Sequence, residues 1–164
     1  IDGLIQSVRA TAVSLRPGVL DDLGLVAALE WLATSFEDRT GLPCELTIEP
    51  SLREASVEVA LATTVFRGAQ ELLTNVMRHA HASKAGIRLM LEEDHLVLTI
   101  HDDGRGLRPE QWKEGRSLGL RGLHERVKLV GGAVKIVSGP GQGTEVTLSL
   151  PTKYENVPLA KEHR

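Results

Sequence analysis

Glu71, Asn75 and His79 follow one another at four-residue intervals in a stretch whose apolar residues keep helical spacing. On a helix from about Val57 to Ala80 they share one face with Thr64, Arg67 and Arg78, while Val65, Ala69, Leu72, Leu73, Val76 and Ala80 form the opposite face. A carboxylate, a carboxamide and an imidazole in one row could serve a site, but at this spacing alone an ordinary solvated helix face is the plainer reading. A second group, Asp102-Asp103-Gly104-Arg105-Gly106, ends a strand. Alternation sets Asp102 on the side of Leu96, Leu98 and Ile100, so its carboxylate is directed inward, where it requires a donor. The exocyclic amino group of a purine is such a donor. Asp103 is expected to face water and begin a turn, and Gly104 and Gly106 would let a flat ring or a phosphate approach the backbone.

Two further groups complete the set. Ser117-Leu118-Gly119-Leu120-Arg121-Gly122 opens a helix whose first free amides can bind an anion, with Arg121 beside them. Gly141-Gln142-Gly143-Thr144 places a glycine turn and a hydroxyl at the end of a hairpin, where they can border the same pocket. Each group alone has a plain structural explanation as a turn or a cap.

These groups need a scaffold, and the pattern supplies one. Leu4, Ile5, Val8, Ala12 and Leu15 read as the end of an amphipathic helix stopped by Arg16-Pro17-Gly18. A second helix, capped by Asp21 or Asp22 and running to about Arg39, buries Leu25, Leu29, Leu32 and Phe36. Cys44–Glu49 reads as a short strand. Strands around Ile87–Leu91 and Leu96–Ile100, each with one wet face, are joined by a Glu93-Asp94 turn. A helix from about Gly119 to Val130 and two closing strands, Ala133–Ser138 and Gly143–Leu150, follow a polar stretch between Gly104 and Ser117. From Thr152 onward the chain reads as a frayed tail.

Composition narrows the chemistry. The chain has 164 residues, 41% hydrophobic and 25% charged, which suits one soluble globular domain. One cysteine, Cys44, allows neither an internal disulfide nor a cysteine-rich metal cluster. A net charge of −3 gives no general attraction to nucleic acid or anionic membrane, so any anion must be held locally. At 3%, aromatic residues are too few to form base-stacking platforms. Because it starts at Ile1 rather than Met, the chain is expected to be a piece of a longer protein.

In this order, an Asn-bearing helix, Asp-x-Gly-x-Gly, a Gly-rich helix start and Gly-x-Gly-Thr resemble the ATP-binding domain of sensor histidine kinases, within the GHKL ATPase superfamily. The resemblance is carried by Glu71–Ala80, Asp102–Gly106 and Gly119–Val127, and it covers residues 1–151. The run from Leu15 to Leu25, with Ala28-Leu29-Glu30, is similar to the junction between dimerising phosphoacceptor helices and catalytic domain in the nitrate-sensor type. The implied fold is an α/β, two-layer α+β sandwich of the Bergerat type. It has a mixed, mainly antiparallel sheet, about three helices and an ATP lid over Leu107–Leu118. The implied division is residues 1–20 for the end of the hairpin, 21–151 for the catalytic domain and 152–164 for a tail.

Carried over residue by residue, the resemblance implies that Asn75 coordinates Mg²⁺ and that Glu71 stands beside it as the catalytic carboxylate, able to reach the metal through water. Asp102 would accept from adenine. Gly104, Gly106 and Leu107 would shape the nucleotide pocket. Gly119, Leu120, Arg121 and Gly122 would lie at the phosphates with Arg78 and His79, and Thr144 would close the pocket from the sheet. The family often has Gly where this chain has Ser117, whose hydroxyl can still cap the helix.

The implied activity is a histidine protein kinase using ATP and Mg²⁺ in the cytoplasm, in a full-length protein that can be membrane-anchored. Its phosphoryl group would go to a histidine upstream of Ile1, then to an Asp of a response regulator with LuxR-type output. No nucleic acid is implied; the full-length protein would be a homodimer and the fragment a monomer. None of His79, His81, His95, His101, His124 or His163 stands in an acceptor motif. Of these, His101 would be structural or incidental, His124 a packing residue and His81, His95 and His163 surface residues, with Trp31 packed and Trp112 in the lid. The alternatives are a non-catalytic or anti-sigma-like nucleotide-binding module of the same fold, and a mechanical ATPase, for which the chain is short.

Overall fold

The computed structural model describes residues 18–106 and 118–153. The helix expected over Ile1–Leu15, the lid from Leu107 to Ser117 with Trp112, and the far end of the tail with His163 lie outside the described residues.

The chain runs α1 (Gly18–Thr40), β1 (Cys44–Ile48), a 3₁₀ turn (Pro50–Arg53), α2 (Val59–Asn75), a π turn (Val76–Ala80), β2 (Ala85–Glu92), β3 (His95–Asp102), α3 (Leu118–Leu129), β4 (Ala133–Ser138) and β5 (Thr144–Pro151). The strands form one sheet in the order β1-β2-β3-β5-β4, with β1 parallel to β2 and every other pair antiparallel. Parallel pairing of successive strands requires a long crossover, and α2 with its flanking turns provides it. This is the expected mixed, mainly antiparallel sheet with three helices.

The core lies between sheet and helices. Ile87, Leu89, Leu96, Leu98, Ile100, Val146, Leu148 and Leu150 are buried on the inner face of the sheet. Against them lie Leu25, Leu29 and Phe36 of α1, Val65, Phe66, Ala69 and Leu72 of α2, and Leu123 and Val127 of α3. Burying a large aliphatic or aromatic side chain contributes roughly 1.5 to 3 kcal/mol. A helix bearing Gly68 and Ala69 can approach such a sheet closely: a Cβ at Gly68 would lie 2.5 Å from Leu148 Cδ1 and 3.3 Å from Leu123 Cδ1.

The structure corrects the sequence reading at several places. Asp21 and Asp22, expected ahead of α1 as caps, lie inside the helical stretch Gly18–Thr40. α1 is also broken at Gly24, whose φ of 84° and ψ of −179° belong to a region open essentially to glycine. α2 begins at Val59, where the Glu58 side chain caps it by accepting from Ala60 N–H at 3.0 Å and Leu61 N–H at 3.1 Å. β3 has no wet face along its middle, since Val97 and Thr99 are buried too. A central strand is flanked on both edges, and Val97 stands between Met90 and Ser149 while Thr99 stands between Arg88 and Thr147. Trp31, expected to be packed, is exposed. Thr152 is tied down: its N–H and hydroxyl both donate to the Asp94 carbonyl, at 2.8 and 3.0 Å.

Gly68→Val should therefore lower stability by about 1 to 3 kcal/mol, since the added methyls meet Leu148 and Leu123 and the core cannot yield without strain. Urea unfolding monitored by circular dichroism measures this, and an unchanged midpoint would mean that helix and sheet are less tightly apposed than described.

Candidate functional site

Four stretches of sequence far apart in the chain meet at one end of the sheet. Asp102 is the last residue of β3, and its neighbours across the sheet are Ala85 on β2 and Thr144 on β5. Thr144 in turn faces Ser138 on β4, whose Oγ lies 3.0 Å from Thr144 Oγ1 and also donates to the Gly143 carbonyl at 2.9 Å. Asp102, Thr144 and Ser138 thus form a polar row at the edge of an otherwise apolar inner face.

The loop after Asp102 is held on both sides through backbone. Arg105 N–H donates to the Ala80 carbonyl at the end of the π turn, 2.7 Å away. On the other side, Gly143 N–H donates to the Gly104 carbonyl at 2.9 Å and Gly141 N–H to the Arg105 carbonyl at 2.8 Å. This approach leaves no room for side chains. A Cβ at Gly104 would collide with the Ala80 carbonyl, at Gly106 with that of Gly139, and at Gly143 with that of Asp102. Gly104 and Gly106 leave room for neighbouring main chain, whatever else approaches the loop.

The two adjacent carboxylates have opposite environments. Asp103, expected simply to face water, is a clasp: its carboxylate accepts from the backbone N–H of Ser83 at 2.8 Å and of Lys84 at 3.0 Å, and from the Ser83 hydroxyl. These donors, led by the Ser83 hydroxyl, hold its pKa down from an ordinary 3.8 to about 2. Asp102 is half-buried and accepts from Gly104 N–H at 2.8 Å. Burial is the largest influence on it and raises its pKa, opposed by the Gly104 and Thr144 amides and assisted by the charge of Asp103. A carboxylate that is partly desolvated yet only partly satisfied is suited to take one more donor.

Glu71 and Asn75 are half-buried on α2, one turn apart, with Arg67 half-buried a further turn back. Thr64, expected on this face, is instead buried, its hydroxyl donating to the Ala60 carbonyl at 2.8 Å. The π turn that follows Asn75 breaks the four-residue row, so His79 and Arg78 are exposed beyond it. α3 begins against Glu71: a Cβ at Gly119 would collide with the Glu71 carboxylate. Gly122, expected beneath a phosphate, lies against its own helix's Arg126, whose Nη1 is 3.3 Å from where a Cβ would be. Arg121 forms an exposed ion pair with Glu125 at 3.2 Å. Leu120 is half-buried in the first turn, and its carbonyl lies 2.9 Å from Nδ1 of His124, which is exposed rather than packed. Leu107 lies outside the described residues.

Two local groupings are thus seen: Glu71 on α2 lies against Gly119 at the start of α3, with Asn75 one turn along, and Asp102 at the end of β3 stands beside Thr144 on β5. Sequence reasoning missed the Ala80 carbonyl, Ser83 and Ser138. Ser83 lies twenty positions from its partner Asp103, and no local signal joins them. His101 lies with its ring over Gly86, across from it on β2. Among the described residues no group of three or more His, Cys, Asp or Glu could enclose a metal ion. Nor is any helix among them long and apolar enough to cross a membrane.

The family described as histidine kinase-, DNA gyrase B-, and HSP90-like ATPase matches residues 60–154. The chain is 38% identical over 166 residues to the sensor histidine kinase MctS of Rhizobium johnstonii, a match covering 99% of this chain and 35% of that protein. It is 36% identical over 148 residues to the oxygen sensor histidine kinase NreB of Staphylococcus carnosus, covering 90% of this chain and 42% of that one. The chain thus spans less than half the length of these curated relatives. Among solved structures, the histidine kinase domain of a blue-light activated histidine kinase from Erythrobacter litoralis EL346 aligns with a TM-score of 0.68 and 25% identity, over 78% of this chain and 61% of that one. The histidine kinase AdeS of Acinetobacter baumannii aligns with a TM-score of 0.64 over 93% of this chain and 78% of that one; at 18% identity this likeness shows the fold.

Acid should act on the two aspartates in opposite senses. Asp103, with its pKa lowered from 3.8 to about 2, contributes stability above pH 4 that is lost as pH falls through that interval. Asp102, with its pKa raised, is relieved as pH falls, because its protonated form is the better tolerated when buried. Asp103→Asn should therefore flatten the acid limb of stability between about pH 4 and pH 2, read from urea unfolding at a series of pH values. A limb as steep as that of the parent chain would assign the loss to other carboxylates.

Proposed function

On the premise that the chain belongs to the histidine kinase-, DNA gyrase B- and HSP90-like ATPase family, as an ATP-binding domain of the sensor histidine kinase type, we propose that its cleft presents MgATP for γ-phosphoryl transfer. The acceptor is a histidine on a helical hairpin outside this chain, and the phosphoryl group passes from there to an Asp of a response regulator, one with LuxR-type output. The full-length protein works as a homodimer with this domain in the cytoplasm. The observations that support the reading are Glu71, one turn from Asn75, seated against Gly119, and the half-buried Asp102 carboxylate beside Thr144.

The residues fit the nucleotide and its metal. Asp102 has acceptor capacity beyond the Gly104 and Thr144 amides, and an adenine amino group is a donor of the right kind. The Asn75 carboxamide offers an oxygen of the kind that Mg²⁺ prefers. Asn75 and, through water, Glu71 would hold Mg²⁺, a cation that prefers oxygen ligands and keeps several waters beside substrate phosphates. The metal, when bound, neutralises charge developing on the transferred phosphoryl group. Glu71, set against the first turn of α3, orients water or the acceptor. The early amides of α3 receive phosphate oxygens, with Arg78, His79 and Arg121 as neighbours and Thr144 at the sheet side. The protein thus contributes position and electrostatics and little covalent chemistry.

A non-catalytic nucleotide-binding module of the same fold is the second reading, and the presence of both Glu71 and Asn75 on one helix favours the catalytic one. Titration with MgATP should show binding, and addition of a phosphoacceptor hairpin should give labelled hairpin. Binding without labelling would favour the second reading.

Asp102→Ala should weaken ATP binding by about 1 to 3 kcal/mol through loss of one buried acceptor, and equal affinity would remove Asp102 from the adenine site. In the parent chain, ATP affinity should fall on acidification at a pH above that of an unperturbed aspartate, because the raised pKa removes the acceptor early. Asn75→Ala should abolish Mg²⁺-dependent transfer while nucleotide association partly survives. Metal dependence that persists would exclude Asn75 as ligand.

A further inference from the structure

One buried donor is left over by the packing of α3. Arg126, in the second half of that helix, has its Nε buried without a hydrogen-bond partner among the described residues. A guanidinium nitrogen so placed gives up water and gains no acceptor, a cost that an apolar side chain of similar length would not carry. The adjacent carboxylate, Glu125, is exposed and engaged with Arg121 at 3.2 Å. Arg126 follows Gly119 by seven residues, two turns less about 20°, so the two share one face of α3. That face meets α2, because a Cβ at Gly119 would collide with the Glu71 carboxylate. Helical side chains lean toward the N-terminus of their helix, and Arg126 does so: its Nη1 is 3.3 Å from where a Cβ at Gly122 would be. Positions three apart on a helix have Cβ atoms about 5 to 6 Å apart, so the carboxylate at Gly119 and the guanidinium at Gly122 lie within about 11 Å of each other along one seam. Arg67, the cation one turn before Glu71 on α2, already donates to Gln70 at 3.0 Å.

We infer that Arg126 is a positioning residue for Glu71: by rotation about its terminal bonds the guanidinium donates to the Glu71 carboxylate and fixes the direction in which that carboxylate faces the reaction. The contact is open in this structure, where the Nε has no partner. The inference rests on the catalytic role proposed for Glu71 and adds the group that holds it from the neighbouring helix. Once closed, the contact is a charge-assisted hydrogen bond at a half-buried site, stronger and more directional than an exposed ion pair. A buried cation kept at the expense of stability is the mark of a functional group more than of a packing residue.

The test compares Arg126→Met, Arg126→Lys, Glu71→Gln and the double variant Glu71→Gln with Arg126→Met by two measurements. The first is the urea midpoint without ligand. Arg126→Met should shift it less favourably in the parent, where it strands Glu71, than in the Glu71→Gln background. Midpoint shifts that simply add would show that the two groups do not interact, and overturn the inference. The second is labelling of a supplied phosphoacceptor hairpin by MgATP. Arg126→Met should slow labelling about tenfold at unchanged MgATP affinity, and should cost nothing further on the residual rate of Glu71→Gln. Arg126→Lys, which keeps the charge, should recover part of the loss. Weaker MgATP binding by Arg126→Met would place Arg126 on the nucleotide, and unchanged labelling would leave a purely structural pair; either result overturns the positioning role. A parent chain that binds MgATP without labelling the hairpin overturns the catalytic reading instead, and the ligand-free midpoints still decide whether the pair exists.

Discussion

The cleft depends on main chain meeting main chain without intervening side chains. The loop from Asp102 to Gly106 is held between the π turn on one side and the hairpin turn on the other, through Arg105 N–H on Ala80 and the Gly141 and Gly143 amides. Buried backbone groups must be paired, and here they pair across three elements that are remote in sequence. Each pairing requires a Cβ to be missing, at Gly104, Gly106 and Gly143. Asp102 is held by this frame, so the carboxylate proposed to read adenine is set by hydrogen bonds that involve no ligand.

Electrostatics then divides the work between neighbours. Asp103 turns outward and draws the segment after α2 onto the end of β3, while Asp102 turns inward and remains half-satisfied. One step along a strand reverses the face, so the same residue type serves once as a fastening and once as a binding group. On the helical side, Glu71 is seated against the start of α3 and Asn75 stands one turn beyond it. The arrangement agrees with a family whose reaction relies on placement and charge neutralisation.

Much of this was legible in the sequence, and the limits have physical causes. The strands, the hairpin and the stripe Leu25, Leu29, Leu32, Phe36 follow from period and turn chemistry, and they were found. The inward direction of Asp102 followed from alternation. What failed was whatever depends on partners distant in the chain. The burial of Val97 and Thr99 reflects the central place of β3 in the sheet, which no local pattern discloses. The main-chain contacts of the glycines of Asp-x-Gly-x-Gly were not foreseen, because the carbonyls they meet belong to Ala80 and Gly139. The break at Gly24 was hidden by an uninterrupted apolar stripe on its C-terminal side.

The wide turn at Val76–Ala80 makes arithmetic, more than chemistry, the local rule. A π turn accommodates one residue beyond the α count, which shifts everything after it by about 100° around the axis. Losing a single residue there would return the chain to α phase and rotate the Ala80 carbonyl away from Arg105, whatever side chains remained. Along this stretch, natural variants would accordingly trade one amino acid for another far more readily than they would change the length of the segment.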